Sequence, residues 1–278
     1  MTTVLETENL ERRFGRLVAV DDVSVRIESE DITSIIGPNG AGKTTFYNLL
    51  TGMLEPTAGT VHVRPRDGAD GELTDVTGWE PFEVTRLGLS RAFQINNVFE
   101  GLSVLENVRI ARISRDDRTM DLTSIAQADD DLNEDAWGII ELANLQDVAH
   151  QECANLSHGD KRKVEIALAL GTDPSVVLLD EPTAGMNPSE TDRMVTLVND
   201  LDDDTETTFV ITEHDMEVVL GISDRILVLD NGQLIADGTP DEVMADARVR
   251  EAYLGTEAED ESLAPTGESE DVAGGEEA

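Results

Sequence analysis

Apolar residues recur along this chain with two different spacings. In "DDVSVRIES", residues 21–29, Val23, Val25 and Ile27 return every second position, the mark of a strand with one face buried. "ITSIIGPNGAGKTTFYNLLTG", residues 32–52, reads as a short apolar strand, a glycine-rich turn and a helix. "TVHV" at 60–63 predicts another strand, and the polar "RPRDGADGEL" that follows predicts a surface loop. From about residue 96 to 156 the period becomes helical. "LSVLENVRIAR" and "EDAWGIIELANL" each gather their apolar residues on one helix face, and an acidic linker joins them. Buried strands return in "VVLLDEP" and "TTFVITEHD", separated by the helix-like "SETDRMVTLVNDL". Strands alternating with helices predict an α/β protein with a mainly parallel sheet.

Turn and cap residues punctuate the C-terminal third. "ILVLDNGQLIADG" predicts a hairpin turning at Asn231-Gly232. In "TPDEVMADARVREAYLG", Thr239 is placed as a helix N-cap, Pro240 at the first helical position, and Glu242 to complete a capping box. Residues 256–278 contain no basic residue and little to bury, so an acidic disordered tail is expected there. The folded unit is expected over residues 4–255, with a helical subdomain inserted at about 96–172.

With 278 residues, 39% of them hydrophobic, the chain can bury a proper core. Its charge is the unusual feature: 59 acidic against 20 basic residues, a net charge of −39. A basic footprint for nucleic acid is lacking, so no nucleic-acid partner is expected. An acidic binding face would cluster these residues. They are instead spread from "ESED" through "QADDDLNED" and "NDLDDDTE" to "EAEDESL", which favours a surface adapted to high salt and a halophilic, archaeal cytoplasm. Cys153 is the lone cysteine, in keeping with a reducing compartment. Neither an apolar leader nor a window near the ~18 apolar residues of a membrane span is seen. Any membrane role is therefore expected to come through a partner.

Residues 37–44, "GPNGAGKT", fit the pattern G-x-x-x-x-G-K-[ST] between an apolar strand and a helix. Glycines let backbone N–H groups turn inward around phosphate, and the helix N-terminus adds positive potential. Lys43 is expected to reach the β- and γ-phosphates and Thr44 to bind Mg²⁺. "VVLLDEP" delivers Asp180 at the end of a buried strand as a second Mg²⁺ group, with Glu181 placed to polarise a water as general base. The other two lysines, Lys161 and Lys163, flank Arg162 just after "LSHGD" at 156–160.

"LSHGD" before a helix, lying between "GPNGAGKT" and "VVLLDEP", resembles the signature motif of ATP-binding cassette (ABC) ATPases. The remaining motifs of that family follow in order over residues 4 to 255. Phe14 in "RRFG" matches the aromatic that stacks on adenine. Gln94 in "RAFQ" matches the glutamine that senses Mg²⁺ and couples to the transporter. "AGMN", residues 184–187, matches the D-loop, and His214 in "ITEHD" matches the switch histidine at the γ-phosphate. The resemblance implies a phosphate-loop NTPase fold of ABC type: a mainly parallel core, an antiparallel β lobe and the helical insertion. Nucleotide would be bound by Phe14, Gly37, Pro38, Asn39, Gly40, Ala41, Gly42, Lys43, Thr44, Thr45 and Gln94. Ser157 and Gly159 would contact the γ-phosphate held by the opposite subunit. Glu181 and His214 would be catalytic, with Thr44, Gln94 and Asp180 toward Mg²⁺.

Two departures accompany the match. His158 and Asp160 stand in the signature, Asp160 where glutamine is common, and Asn187 stands where many members have aspartate. With "RLGLSRAFQINNVFEGLSVLENVRIA", "DEPTAGMNPSET" and the ending "GISDRILVLDNGQLIADGTPDEVMADARVREAYLG", they resemble the ATPases of branched-chain amino-acid importers. The implied partners are a second cassette, identical or paralogous, transmembrane permease subunits and, indirectly, an extracellular solute-binding protein. The implied location is the cytoplasmic face of the membrane. Export, import of urea or amides, and a soluble non-transport ATPase remain open. Lys161, Arg162 and Lys163 are expected to be exposed helix residues paired with Asp160 and Glu165, and to raise local potential rather than ligate ATP.

Overall fold

Register shifts shape the first sheet. In the computed structural model, which describes residues 2–29, 31–66, 72–92, 98–115 and 129–253, strand β1 (Thr3–Phe14) pairs antiparallel with β2 (Leu17–Glu28). Asn9 and Asp22 both take positive φ, and Asn9 Nδ2 donates to Asp22 Oδ1 at 2.7 Å. The bulge between the pairs Thr7–Val25 and Leu10–Val23 adds a residue to β1, so Thr7 and Leu10 both stay buried, and the shift between Leu10–Val23 and Arg12–Val20 adds one to β2, so Val20 and Val23 do too. Strand β3 (Thr33–Ile36) then runs through the core into helix α1 (Lys43–Leu50). Strands β4 (Ala58–Val63) and β5 (Thr74–Asp75) complete an antiparallel sheet of order β2-β1-β4-β5.

The second sheet has the order β10-β9-β3-β8-β7-β6. After helix α2 (Pro81–Leu87), strand β6 (Leu89–Ala92) forms one edge. Helices α3 (Val104–Arg115), α4 (Asp129–Leu142) and α5 (His158–Gly171) come next, with 3-10 turns at Gln146–Val148 and Cys153–Asn155. Strand β7 (Val176–Asp180), helix α6 (Pro188–Asp204), strand β8 (Thr208–Thr212) and helix α7 (Met216–Ile222) follow. The hairpin of β9 (Arg225–Asp230) and β10 (Gln233–Gly238) leads into α8 (Pro240–Ala245). Strands β9, β3, β8, β7 and β6 are parallel and β10 is antiparallel at the edge. Parallel strands are covered on both faces, which is why "VVLL" and "FVIT" are buried throughout.

Alternate residues of β7 enter different cores. Val177 and Leu179 pack with α3, α4, α5 and α6, whereas Val176 and Leu178 pack with α1 and the antiparallel sheet. The helical stretch thus shares its core with the parallel sheet. A third cluster joins Ile36 and Val228 to α7, α8, Val249 and Tyr253. The hairpin turns on Asn231 and Gly232, both at positive φ, and Thr239 and Glu242 form the capping box at α8. No helix among the described residues is long and apolar enough to cross a membrane. Gln94, most of the acidic linker and the tail beyond residue 253 lie outside the described residues.

Candidate active site

Because the strands are parallel, β3, β7 and β8 carry residues 37, 181 and 213 off the same edge of the sheet, where α/β proteins bind ligands. Gly37 has φ +151°, and a Cβ there would sit 2.0 Å from Leu229 O. Gly42 has φ +101°, and a Cβ there would sit 2.3 Å from Ala19 O on β2. Both corners require glycine, and the second seats the antiparallel sheet against the loop. The β9–β10 turn braces it further, Gly232 N–H donating to Ala41 O at 3.0 Å and Asp21 N–H to Gly232 O at 2.8 Å. Tyr253 accepts a hydrogen bond from the Gly37 N–H, although burial pushes its phenol up to about 12.

Lys43 folds back over the loop, its Nζ donating to Gly37 O and, at 3.2 Å, to Pro38 O. Burial lowers its pKa, against the raising influence of the nearby Glu181 and Asp180 charges. Asn39, Gly40 and Thr44 are exposed, leaving the outer rim of the loop and the Thr44 hydroxyl open to a ligand.

Asp180 is tightly held. Its Oδ1 accepts from Thr212 Oγ1 at 2.6 Å and its Oδ2 pairs with Arg91 at 2.5 Å. The other arm of Arg91 donates to Asn48 Oδ1 on α1 at 2.7 Å, and its guanidinium lies 5.4 Å from the centre of the buried Tyr47 ring. Glu181 follows at φ +49°, with its N–H donating to Thr212 O at 3.0 Å. A side chain in this region costs of order 1 kcal/mol or more and persists where the surroundings impose it. The turn leaves the Glu181 side chain one-third exposed, with Oε1 3.9 Å from Nδ1 of the exposed His214.

Three contributors were not singled out from sequence: Arg91, Glu213 and Tyr253. Arg91 stands in the quoted "RAFQ" and Glu213 in "ITEHD", but their partners are supplied by other strands and helices. Glu213 is buried and accepts from Thr183 N–H at 3.0 Å and Thr183 Oγ1 at 2.6 Å.

The signature segment is built differently. Ser157 N-caps α5, accepting from Asp160 N–H at 3.1 Å and donating to Asp160 Oδ2 at 2.7 Å. A Cβ on Gly159 would meet nothing within 4 Å. His158 Nε2 lies 3.4 Å from Ala184 O, so signature and D-loop touch within one chain. Asn187 N-caps α6 in a capping box with Glu190, a task that aspartate would also perform. None of the contacts described around residues 37–45, Asp180, Glu181 and His214 reaches Ser157 or Gly159. Phe14 ends β1, 44% exposed, with Arg12 stacked 4.7 Å from its ring centre.

The expectation of three exposed cations needs correction at Arg162, which is buried and pairs with Glu165 at 3.0 Å because it faces the core side of α5. Lys163 pairs with Asp160 at 3.5 Å, and Lys161 points toward Glu100 at 4.0 Å rather than toward Asp160 or Glu165.

A backbone cradle at a helix N-terminus, a lysine folded over it and an acid pair on the neighbouring strand edge suit one task, holding a nucleoside triphosphate for hydrolysis. They define the class as a phosphate-loop NTPase. Residues 20–184 match the family model of the ABC transporter, and residues 233–259 match that described as "Branched-chain amino acid ATP-binding cassette transporter". The chain belongs to the ABC transporter family, as an ATP-binding, ATP-hydrolysing subunit.

Among its relatives, the high-affinity branched-chain amino acid transport ATP-binding protein LivG of Salmonella typhimurium is 37% identical over 259 residues, spanning 91% of this chain and 98% of that one. BraF of Pseudomonas aeruginosa, of the same description, is 36% identical over 258 residues, covering 91% and 98%. The probable LivG of Methanocaldococcus jannaschii is 34% identical over 259 residues, covering 91% and 97%. The crystal structure of a nucleotide-free ATP-binding cassette from an ABC transporter superposes with a TM-score of 0.77 at 33% identity, covering 91% and 99%. The ADP conformation of an ATP-binding cassette gives the same TM-score and identity, covering 92% and 100%.

Proposed function

We propose that this subunit drives import of branched-chain amino acids by closing on ATP as a head-to-tail pair and reopening after hydrolysis. The open space at Gly159 carries the reading of a shared site. Glycine in a helix is unfavourable relative to alanine, and here nothing within the chain requires it. A small residue at an exposed helix N-terminus suits approach by the partner's γ-phosphate. A cassette 25% identical to this chain, with a TM-score of 0.68, is itself described as dimeric, which supports pairing.

Residues 37–45 would hold the phosphates, with Phe14 against the base and Ser157 and Gly159 of the opposite copy over the γ-phosphate. Glu181 would take the proton of the attacking water, while His214 fixes the γ-phosphate against it. Mg²⁺ is held by one or two protein oxygens together with phosphate oxygens. The exposed Thr44 hydroxyl and Asp180, whose oxygens each keep a lone pair beyond their bonds to Thr212 and Arg91, fit that need. Bound there, the ion would neutralise charge that develops on the phosphates. Gln94 is assigned to nucleotide and metal sensing on its motif alone.

The membrane partner would dock beside α3. A cavity of about 230 Å³ there is lined by Phe99, Ile110, Leu168 and Ala169, and Phe99 is 56% exposed. This suits an apolar-faced helix of a permease at the cytoplasmic face of the membrane. The LivG and BraF relatives support branched-chain amino acids as the solute.

Glu181→Gln is expected to bind ATP, form ATP-dependent dimers by light scattering, and hydrolyse at least about 100-fold more slowly. Wild-type turnover in that variant would remove Glu181 from the role. Leucine-stimulated ATPase in vesicles carrying the permeases and binding protein tests the solute; stimulation by urea or amides alone would reassign it.

A further inference from the structure

We propose that Glu213 is a positioning residue for hydrolysis, its buried carboxylate fixing His214 relative to Glu181. The proposal rests on the reading of Glu181 and His214 as the catalytic pair. The Glu213 side chain has 0% exposure. A carboxylate at that depth is costly unless hydrogen-bonded, and an apolar residue would pack at lower cost, so stability alone does not account for it.

Its hydrogen bonds join two loops. Oε1 accepts from Thr183 N–H at 3.0 Å and from Thr183 Oγ1 at 2.6 Å, while Oε2 accepts from His214 N–H at 3.3 Å. Only Pro182, with its fixed φ, separates Thr183 from Glu181, so holding Thr183 holds the base. His214 Nδ1 lies 3.9 Å from Glu213 Oε2 and 3.9 Å from Glu181 Oε1, which places the imidazole edge equally near the buried carboxylate and the partly exposed one. With its side chain fully buried, Glu213 would act through its neighbours rather than on water or nucleotide. It would set the distance between the proposed base and the proposed γ-phosphate ligand.

Glu213→Gln is nearly isosteric, yet whichever way its amide turns, an NH₂ group faces either the Thr183 donors or the His214 N–H. Measured on the full chain with Mg²⁺-ATP, kcat is expected to fall roughly ten- to a hundredfold while the KM for ATP changes by less than about twofold. Thermal melting should be nearly unchanged. Wild-type kcat in folded Glu213→Gln overturns the proposal.

Thr183→Val and Thr183→Ser decide the matter if Glu213→Gln fails to fold. A kcat that falls in the valine variant and is kept in the serine variant supports the clamp; equal kcat in the two overturns it. Glu181→Gln separates the layers of inference. If that variant turns over normally, the reading of the catalytic pair fails. If it is inactive while Glu213→Gln behaves as wild type, only the positioning role fails.

Discussion

Glu181 occupies a conformation that glutamate adopts rarely, and the Thr212 carbonyl holds it there. The local backbone cost thus falls on the residue proposed as the general base. Asp202 presents a different cost. Burial, with Asp224, Asp203 and Asp31 nearby, raises its pKa to about 6. Between about pH 4 and 6 the folded state holds a proton that the unfolded state has lost, so stability falls as pH rises through that window. Asp202→Asn should therefore stabilise the fold at pH 7 by about 1 kcal/mol or less in low salt, allowing for solvent screening, and give no gain near pH 4. Urea melts at the two pH values check this; an equal gain at both would assign it to packing. The places of Lys43 and Thr44 at the start of a helix and of Asp180 at the end of a buried strand were legible in the sequence because short spacings encode them. Arg91 and Glu213 were not, since Arg91 meets an acid 89 residues away and Glu213 meets Thr183 30 residues away.

Helix α5 is buried along most of its length and leaves its start exposed at Ser157 and His158, with Gly159 half-buried. If Gly159 serves a partner's phosphate, Gly159→Ala should keep or raise the melting temperature of the monomer and abolish ATP-dependent dimerisation. Sedimentation with and without ATP reads the second effect, and normal dimers would remove Gly159 from the shared site. The β9–β10 hairpin and the α8 cap were legible because their turn and capping residues act locally. Strand β1 was not, because Asn9 interrupts its alternation and a bulge is recognisable only once its partner Asp22 is opposite. The helical period over α3 to α5 was visible, whereas the core those helices share with β7 depends on contacts that no local window contains.

Over the whole molecule a net charge of −39 acts against compaction in dilute buffer. If the surface is adapted to salt, raising KCl from 0.1 to 2 M, which shortens the screening length from about 10 Å to below 3 Å, should lift the melting temperature by roughly 10 °C. A flat response would count against that reading. The class of fold followed from the order of strands and helices, but how the end of the chain reaches its beginning did not. Gly232 and Tyr253 hydrogen-bond the loop that opens at Gly37. A nascent polypeptide emerging from the ribosome therefore lacks part of its nucleotide cradle until nearly all of its folded length has been synthesised. Subunits truncated by premature termination should accordingly be unable to sequester ATP, and so should not compete with intact copies for transporter assembly.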